Sequence, residues 1–487
     1  MRPPGPRIFC NSLVALLLAV AASSGQAAAI GYDAARHLLN RTGFAASETE
    51  VESFAGLSRE EAARRLLNGT LTRAVTQPPD LVDEPIIPPP TIKAMSDEDR
   101  KAVRRDTIAK GLELRAWWLS EMLATPSPLT EKMTLFWHNH FVSSQQKVKY
   151  NQIMYRQNVL LRRHALGNFA GLLHDIARDP AMVIYLDNAS NRKGQPNENF
   201  AREVMELFTL GEGHYAEQDI KEAARAFTGW SVDRATGQFV FRRGLHDDGL
   251  KTVLGRTGRL DGDDVLDALL QQPATAEFIT VKLWWEFISP APNEADVKRF
   301  ARIFRDSGYQ IKPLLFSMLT SDAFYAPENR GTLIKSPVEL LVGTLKQFAV
   351  HADDLRPVAV ASAALGQNLF SPPNVKGWPG GEAWINSTTL LGRKQFLDRL
   401  FRENGDFINT ASPAMGEGRD KRLLQRLSVG LNAMSFDAGQ WAATAPNASA
   451  GVIRLVLATP PEQTPPATQT GAALVRFLAL DPAYQLK

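Results

Sequence analysis

Apolar residues recur at helical spacing along most of the chain. Ala34, Leu38 and Leu39 occupy positions i, i+4 and i+5, and similar patterns return at 112–122 and from 263 to about 345. Side chains with this spacing share one face of an α-helix, so each segment predicts an amphipathic helix. The expected fold class is therefore mainly α, a multi-helix globular body with long functional loops.

The clearest strand pattern lies in residues 237–254. Two runs, 237–242 and 251–254, carry aromatic and β-branched residues, and Asp247, Asp248 and Gly249 lie between them. A Gly-containing turn between two such runs is typical of a β-hairpin. We expect one short β-hairpin in this part of the chain.

Shifts in composition divide the chain into five segments. Prolines are dense at 77–95, where they fix φ and remove backbone donors, so this stretch predicts an extended surface linker. The predicted segments are a signal peptide at 1–29, an N-terminal helical segment at 30–76, the Pro-rich linker at 77–95, a main helical domain at 96–441, and an Ala/Pro/Thr-rich loop with a C-terminal helix at 442–487.

The N-terminus has the pattern of a secretory signal. Arg2 and Arg7 precede an apolar run at 13–22, and three alanines end at Ala29. The run is about half the length that spans a bilayer, so we expect cleavage and no stable membrane insertion afterwards. The single cysteine, Cys10, would be removed with the signal. The sequence thus predicts a periplasmic or secreted protein without disulfides or Cys-based zinc sites.

Composition and net charge exclude several classes of protein. The 487 residues are 44% hydrophobic and 22% charged, which excludes collagen, coiled coil and wholesale disorder. Basic and acidic residues number 55 and 52, a net charge of +3. Such a small excess does not steer a protein toward nucleic acid, so no nucleic-acid partner is expected.

His138 and His140 form the first candidate site. They are two of only eight histidines and lie in the run LFWHNHF at 135–141. Neutral imidazoles serve as acid/base groups or as metal ligands. On a helix, residues i and i+2 point about 200° apart, so the pair could hold one divalent metal ion only if the helix ends near Trp137. The alternative is that both histidines hydrogen-bond structural groups among aromatic neighbours.

A ladder of charged residues forms the second candidate site. A helix starting at Pro196 or Asn197 and ending at Gly211 would place Glu198 and Glu206 on either side of Arg202. Periodicity alone favours a solvated ladder. A ladder lining a cleft would instead provide two carboxylates with different proton affinities, which acid–base catalysis requires. The neighbouring Asn197 could bind sugar hydroxyls.

Two loops supply further candidates. The hairpin region contains His246 next to Asp247, which could orient the imidazole as a base, or the two could form an ordinary turn pair. The late Gly/Pro-rich loop contains tryptophans that could stack on a ligand, or could instead fill the core beneath the loop. The candidate ligand-binding residues here are Lys251, Lys376, Trp378, Trp384 and Asn386.

Together these segments resemble the bacterial domain of unknown function 1800 family. The resemblance rests on motifs spread in order over nearly all of the mature chain: LFWHNHF at 135–141, NENFARE at 197–203, ELFTLG at 206–211, ARAFTGW at 224–230, KSPVE at 335–339 and PPNVKGWPGG at 372–381. It implies a large, mainly helical exported protein, commonly encoded beside a second exported family similar to sulfatases and phosphatases. It implies no established activity.

The resemblance also favours one shared cleft, because the motifs are rich in polar residues. Its predicted catalytic residues are His138, His140, Glu198, Arg202, Glu206, His246 and Asp247, and its predicted substrate-binding residues are Asn197, Lys251, Lys376, Trp378, Trp384 and Asn386. The leading hypothesis is an exported hydrolase or transferase that acts on a polysaccharide or other cell-envelope polymer by His/carboxylate acid–base chemistry.

Two alternatives stay open from the sequence. One is a metal-dependent hydrolase in which His138, His140 and a carboxylate hold a divalent ion. The other is a non-catalytic periplasmic partner or assembly factor for the co-encoded sulfatase-like exported protein, since Arg and Trp are typical interface anchors.

Overall fold

The computed structural model describes residues 28–402 and 434–487. Helices dominate this part of the chain, so the predicted mainly α fold is confirmed. Residues 1–27, which hold nearly all of the predicted signal peptide, lie outside the described residues. Among the described helices, none combines the length and the apolar character needed to cross a membrane.

Among the described residues, twelve α-helices precede the first strand. They are α1 Gly31–Thr42, α2 Glu48–Ala55, α3 Arg59–Asn68, α4 Pro89–Ala94, α5 Asp97–Ala124, α6 Pro128–His140, α7 Gln145–Val148, α8 Asn151–His164, α9 Phe169–Ala177, α10 Pro180–Tyr185, α11 Asn199–Glu203 and α12 Glu217–Ala226. A π-helical segment, Val204–Thr209, follows α11 directly and is called the π-turn below.

Eleven described helices follow the strands of the middle region. They are α13 Gly262–Gln271, α14 Pro273–Phe287, α15 Glu294–Asp306, α16 Ile311–Leu319, α17 Asp322–Tyr325, α18 Pro337–Gln347, α19 Arg356–Ala364, α20 Ser387–Leu400, α21 Ala438–Ala442, α22 Ser449–Val456 and α23 Gly471–Leu480. Short 3₁₀ turns lie at Asp80–Asp83, Asn188–Ser190, Arg243–Leu245, Pro327–Asn329, Gly381–Trp384 and Pro482–Gln485.

Local sequence explains many helix boundaries. The hydroxyl of Ser58 accepts the N–H of Glu61, and the Glu61 carboxylate accepts the N–H of Ser58, which closes a capping box at the start of α3. Proline occupies the first turn of α6, α14 and α18, where its missing N–H has no helical partner to lose.

The single predicted hairpin is in fact two. Strand β2, Phe239–Phe241, pairs with the preceding β1, Trp230–Val232, while β3, Lys251–Val253, pairs with the following β4, Arg256–Gly258. The reason lies in the turn after β3. Leu254 and its neighbour Gly255 both have positive φ (48° and 80°), so they close a tight two-residue turn that Leu-Gly does not usually signal.

The structure also contains a third small sheet and two short helices that the sequence did not predict. Strand β5, His351–Ala352, pairs with β6, Met434–Ser435. The Pro-rich segment contains the turn Asp80–Asp83, whose Leu81 is buried, as well as α4. The Ala/Pro/Thr-rich region contains α22.

One continuous hydrophobic core runs through the described residues. It extends from Ala34 on α1 to Tyr484 near the C-terminus, so the N-terminal helices and α23 contribute to the same core as the central helices. Helix α6 lies inside it, and Arg162 of α8 fixes α6 through a buried ion pair with Glu131. The C-terminal end of α6 thereby reaches the π-turn at a fixed position.

Candidate functional site

Helix α6 continues to His140, so His138 and His140 lie on opposite sides of it. His138 is buried among the rings of Trp118, Phe370 and Trp378, and its Nε2 accepts the backbone N–H of Phe370 at 3.2 Å. Burial lowers the pKa of His138 to about 3. His138 is therefore a neutral structural group that holds the start of the late loop.

Asn139, between the two histidines, holds the same loop further along. Its Oδ1 accepts the backbone N–H of Trp378 at 2.7 Å, and its Nδ2 donates to the Trp378 carbonyl at 3.3 Å. Gly377 has φ +81°, and a Cβ there would lie 2.3 Å from Asn139 Oδ1, so only glycine fits. These contacts place Val375 and Lys376 beside the end of α6.

His140 faces the π-turn and Lys282 of α14. Its Nε2–H donates to the Phe208 carbonyl at 3.1 Å, and its Nδ1 accepts from Lys282 Nζ at 3.2 Å. Lys282 Nζ also donates to the Leu207 carbonyl at 3.4 Å and lies 4.8 Å from the centre of the Phe278 ring. Both nitrogens of the neutral imidazole are therefore used.

The π-turn explains why these carbonyls are available. The N–H of Leu210 donates to Met205, five residues earlier, at 2.8 Å, and the Thr209 hydroxyl donates to the Val204 carbonyl at 2.6 Å. This wider turn lets the Leu207 and Phe208 carbonyls accept from Lys282 and His140. A cation at the carbonyl end of a helix is also favoured by the helix dipole, and π-helical turns are frequent at functional sites.

These groups line one open cleft of about 370 Å³. Its lining residues are His140, Glu206, Leu207, Glu212, Phe278, Lys282, Val375 and Lys376. Three of the residues predicted from sequence, His140, Glu206 and Lys376, meet here. The volume falls in the range of small-molecule sites.

Burial sets the protonation of the two basic groups in the cleft. It lowers the pKa of Lys282 to about 8. The pKa of His140 lies well below its usual value, mainly through burial and also through the positive charge of Lys282. The exchangeable proton on this wall therefore belongs to Lys282, and His140 stays neutral.

The cleft is also lined by carboxylates. Glu206 Oε2 accepts the Tyr215 hydroxyl at 2.8 Å, and burial together with this contact raises the pKa of Tyr215 to about 12. Burial, and secondarily the charge of Glu206, raises the pKa of the adjacent Glu203. Glu203 therefore holds a proton more strongly than an ordinary glutamate.

The remainder of the predicted ladder lies outside the cleft and is only partly exposed. Arg202 donates to both oxygens of Glu217 at 2.8 Å and only at 3.4 Å to Glu198. Asn197 bonds within its own loop, where its backbone N–H donates to Asn191 and its Oδ1 accepts the N–H of Asn199. Glu198, Arg202 and Asn197 do not line the cleft.

His246, Asp247 and Lys251 form a separate structural cluster. His246 Nδ1–H donates to the Thr228 carbonyl at 2.9 Å. Asp247 accepts from Arg225 Nε at 2.8 Å, and this contact lowers the pKa of Asp247 to about 2. The buried Lys251 Nζ donates to the carbonyls of Asp247, Gly249 and Leu260. These residues stabilise the loop between the hairpins.

The predicted stacking residues of the late loop lie in the core. Trp378 and Trp384 are buried, and Trp384 offers its carbonyl to Thr389 at 2.9 Å. Asn386 caps α20, its Oδ1 accepting the N–H of Thr389 at 2.9 Å. None of the three borders the cleft.

The two histidines do not fit a shared metal ion. They diverge across α6, His138 Nε2 accepts a backbone N–H, and both nitrogens of His140 are occupied. Within residues 28–402 and 434–487, no group of three or more His, Cys, Asp or Glu side chains could hold a metal.

The sequence analysis missed the residues that α14 contributes. Phe278, Lys282 and Trp285 fall at i, i+4 and i+7, so they share one face of α14, and Trp285 is 49% exposed. The available signal was a lysine inside the largely apolar run FITVKLWW at 278–285. A charged side chain in such a run is costly unless it has a partner.

The comparisons with known proteins identify a family and no activity. The family model described as "Protein of unknown function (DUF1800)" matches residues 37–486, nearly the whole chain. No curated protein and no solved structure matches the chain. Only the geometry of the cleft therefore points to a function.

Proposed function

Because the chain belongs to the DUF1800 family of proteins of unknown function, we propose its function from the cleft itself: an exported hydrolase or transferase that acts on a cell-envelope polysaccharide by acid–base chemistry. The signal-like N-terminus supports a periplasmic or secreted location. The observation that carries the catalytic part is Lys282, held against His140 in the same open cleft as Glu206.

The cleft supplies two complementary groups, Lys282 and Glu206. The Lys282 ammonium gives a proton to the leaving oxygen as the glycosidic C–O bond breaks, and the Glu206 carboxylate takes a proton from the attacking water or hydroxyl. Water as the attacking group gives hydrolysis, and a sugar hydroxyl gives transfer. Solvent then returns the proton from Glu206 to Lys282, so the enzyme regains its starting state.

Neighbouring residues tune these two groups. His140 is a positioning residue that holds Lys282 Nζ through its Nδ1, while the Phe208 carbonyl fixes its ring. Glu203, whose pKa is raised by burial and by the charge of Glu206, retains a proton more readily than an ordinary glutamate. Tyr215 orients Glu206 through its hydroxyl.

Aromatic side chains of α14 support a carbohydrate substrate. Phe278 lines the cleft, and the half-exposed Trp285 lies one helical turn beyond Lys282 on the same face. Aromatic rings provide an apolar surface of the size of a sugar face, while Glu212 and Lys376 offer polar contacts to hydroxyl groups. In this proposal Trp285 stacks on the sugar, the role that the sequence predicted for Trp378 and Trp384.

The test is turnover of isolated envelope polysaccharide by the mature protein, followed by reducing-end release and product mass. In H₂¹⁸O, a hydrolase labels its product and a transferase does not.

We expect Lys282→Ala and Glu206→Gln each to lower turnover by about 10²-fold or more. Lys298→Ala on the exposed face of α15 is the matched control. Variants that retain wild-type turnover would place the chemistry elsewhere, and no product from any polysaccharide would exclude this substrate class.

A second candidate function is favoured by an exposed apolar patch. Phe241, Leu245 and Leu250 are 45%, 40% and 68% exposed, close together in sequence around the loop between β2 and β3. Exposed apolar side chains that form a contiguous surface mark protein-binding sites. These three support binding of an exported sulfatase-like protein, the partner that the family resemblance implies is encoded nearby. Co-elution of the two proteins in gel filtration, abolished by Leu250→Asp, is the expected result, and separate elution of the wild-type pair would exclude it.

A further inference from the structure

The side-chain nitrogen of Lys282 lies among three residues that all line the cleft. Nζ is 3.2 Å from His140 Nδ1, 3.4 Å from the Leu207 carbonyl oxygen and 4.8 Å from the centre of the Phe278 ring. These three residues border the open cleft of about 370 Å³ together with Lys282 itself. A small molecule that enters the cleft can therefore reach Nζ.

The partners of Nζ suit a neutral amine as well as an ammonium group. His140 Nδ1 and the Leu207 carbonyl are two acceptors, and an amine has two N–H groups to donate to them. Neither contact requires the third N–H, which only the ammonium form has. In the amine form the nitrogen keeps both hydrogen bonds and also has a free lone pair.

No carboxylate among the described residues pairs with Lys282. The other charged groups that line the cleft are Glu206, Glu212 and Lys376. Glu206 accepts the Tyr215 hydroxyl, and Glu212 approaches Lys376 at 3.9 Å instead. Burial alone lowers the pKa of Lys282 to about 8, so about half of this side chain is amine at that pH.

Two other lysines show that a low proton affinity is not sufficient for reactivity. Burial also lowers the pKa of Lys132 and Lys335 to about 7. However, Lys132 is 1% exposed and pairs with Glu286, and the cavity beside Lys335 has a volume of only about 10 Å³, which is enough for one water. Of these three lysines, Lys282 alone borders a cleft that admits a small organic molecule.

We propose that Lys282 is a nucleophile that forms an imine with a small aldehyde in the cleft, the open-chain form of a sugar. A desolvated lysine amine is a common protein nucleophile toward carbonyl carbon. Phe278 offers an apolar surface to the carbon chain, and Glu206, Glu212 and Lys376 offer hydrogen bonds to hydroxyl groups. This reaction goes beyond the proposed hydrolysis, which uses the ammonium form of the same side chain.

The reaction needs no co-reactant. The Nζ lone pair attacks the aldehyde carbon, and a proton moves from nitrogen to the former carbonyl oxygen to give a carbinolamine. The C–O bond then breaks as the C=N bond forms. The oxygen leaves as one water with both amine protons, and the imine nitrogen takes a proton from solvent. His140 Nδ1 can accept the single N–H of this protonated imine.

The test is reductive trapping on the full mature protein with glyceraldehyde and cyanoborohydride at pH 7, followed by peptide mass mapping. The adduct should form at Lys282 at least about tenfold faster than at the exposed Lys298, whose pKa Glu294 raises. Lys132 and Lys335 should stay unlabelled. Lys282→Arg keeps the positive charge but cannot form an imine, so it should lose the adduct, whereas Lys298→Ala should keep it.

A second aldehyde tests the preference for a sugar. Propanal has no hydroxyl groups, and dividing the labelling at Lys282 by that at Lys298 removes the intrinsic reactivity of each aldehyde. This ratio should be at least about threefold higher for glyceraldehyde than for propanal, the effect of one hydrogen bond to a hydroxyl group. Equal ratios would refute a sugar as the ligand.

Labelling that is equal at Lys282 and Lys298, or absent from Lys282, would overturn the proposal. If Lys282→Arg fails to fold, the peptide map of the wild-type protein still decides, because it identifies the modified lysine directly. Trapping requires no polysaccharide turnover. A protein that traps glyceraldehyde at Lys282 but cleaves no polysaccharide would support the imine and refute the hydrolysis, and the reverse result would do the opposite.

Discussion

At the scale of single residues, burial controls the charge of Lys282. The ammonium form of a buried lysine loses the solvation that stabilises it in water, and this lowers the pKa of Lys282 to about 8. Below pH 8 it carries the proton that the proposed reaction needs, and above pH 8 it does not. Turnover that depends on this proton should fall as pH rises through about 8.

This titration can be measured without a substrate. Reductive ¹³C-methylation followed by NMR should show Lys282 titrating near pH 8, at least about 2 pH units below Lys298, whose pKa Glu294 raises. Lys282→Ala assigns the signal. Coincident titration of the two lysines would contradict the account of the cleft.

At the scale of elements, the end of α6 determines where the late loop lies. Asn139 binds both backbone groups of Trp378, and the resulting position of the loop brings Lys376 into the cleft. Asn139→Ala leaves the Trp378 N–H without its acceptor, which should cost about 1–3 kcal/mol in the free energy of unfolding.

The matched control lies in the same loop. Asn374 is exposed, and its side chain accepts the Lys376 N–H within a turn, so Asn374→Ala should cost much less. Urea unfolding measures both changes, and limited proteolysis should show faster cleavage near 371–381 in Asn139→Ala alone. Equal losses of stability would show that Asn139 does not anchor the loop.

The mainly α fold was predictable from the sequence because the signals of helices are local. Capping residues, N-terminal prolines and apolar periodicity lie within a few positions of each helix that they define. The π-turn has no such signal, because the Leu207 and Phe208 carbonyls bind Lys282 and His140 from other helices. The two hairpins were missed for a related reason, since a Leu-Gly turn joins β3 to β4.

At the scale of the whole molecule, the cleft depends on contacts between distant segments. His140 and Lys282 are 142 positions apart, so no pattern of spacing could bring them together. Residue type alone also could not separate exposed from buried aromatic residues. Trp378 and Trp384 fill the core, whereas Trp285 is exposed, one helical turn beyond Lys282 on α14. Acid–base residue types were predictable from sequence, and their grouping was not.

Because several histidines are buried in the core as neutral groups, the stability of the whole protein depends on pH. Burial lowers the pKa of His37 and His138 to about 3 and that of His140 well below its usual value, whereas it raises the pKa of Asp179 to about 7. Unfolded histidines titrate near pH 6.5. Below that pH the unfolded chain binds protons at the three histidines that the folded chain does not.

This difference in bound protons determines how the free energy of unfolding changes with pH. Stability from the histidines is present above about pH 6.5 and is lost as pH falls toward 3. Asp179 acts oppositely, because it keeps its proton in the folded state up to about pH 7. From pH 6 to pH 4 these four groups leave the unfolded chain with about two more protons, which lowers the free energy of unfolding by about 2.7 kcal/mol per pH unit.

A substitution at His138 isolates one of these protons. Gln at this position can still accept the Phe370 N–H but does not titrate, so His138→Gln should reduce the slope by about 1.4 kcal/mol per pH unit in urea unfolding between pH 6 and pH 4. Asn374→Ala provides the control, since this exposed residue has no ionisable side chain and its replacement should leave the slope near that of the wild type. An unchanged slope in His138→Gln would mean that His138 takes up its proton in the folded protein, which requires that water reaches its ring despite the surrounding Trp118, Phe370 and Trp378.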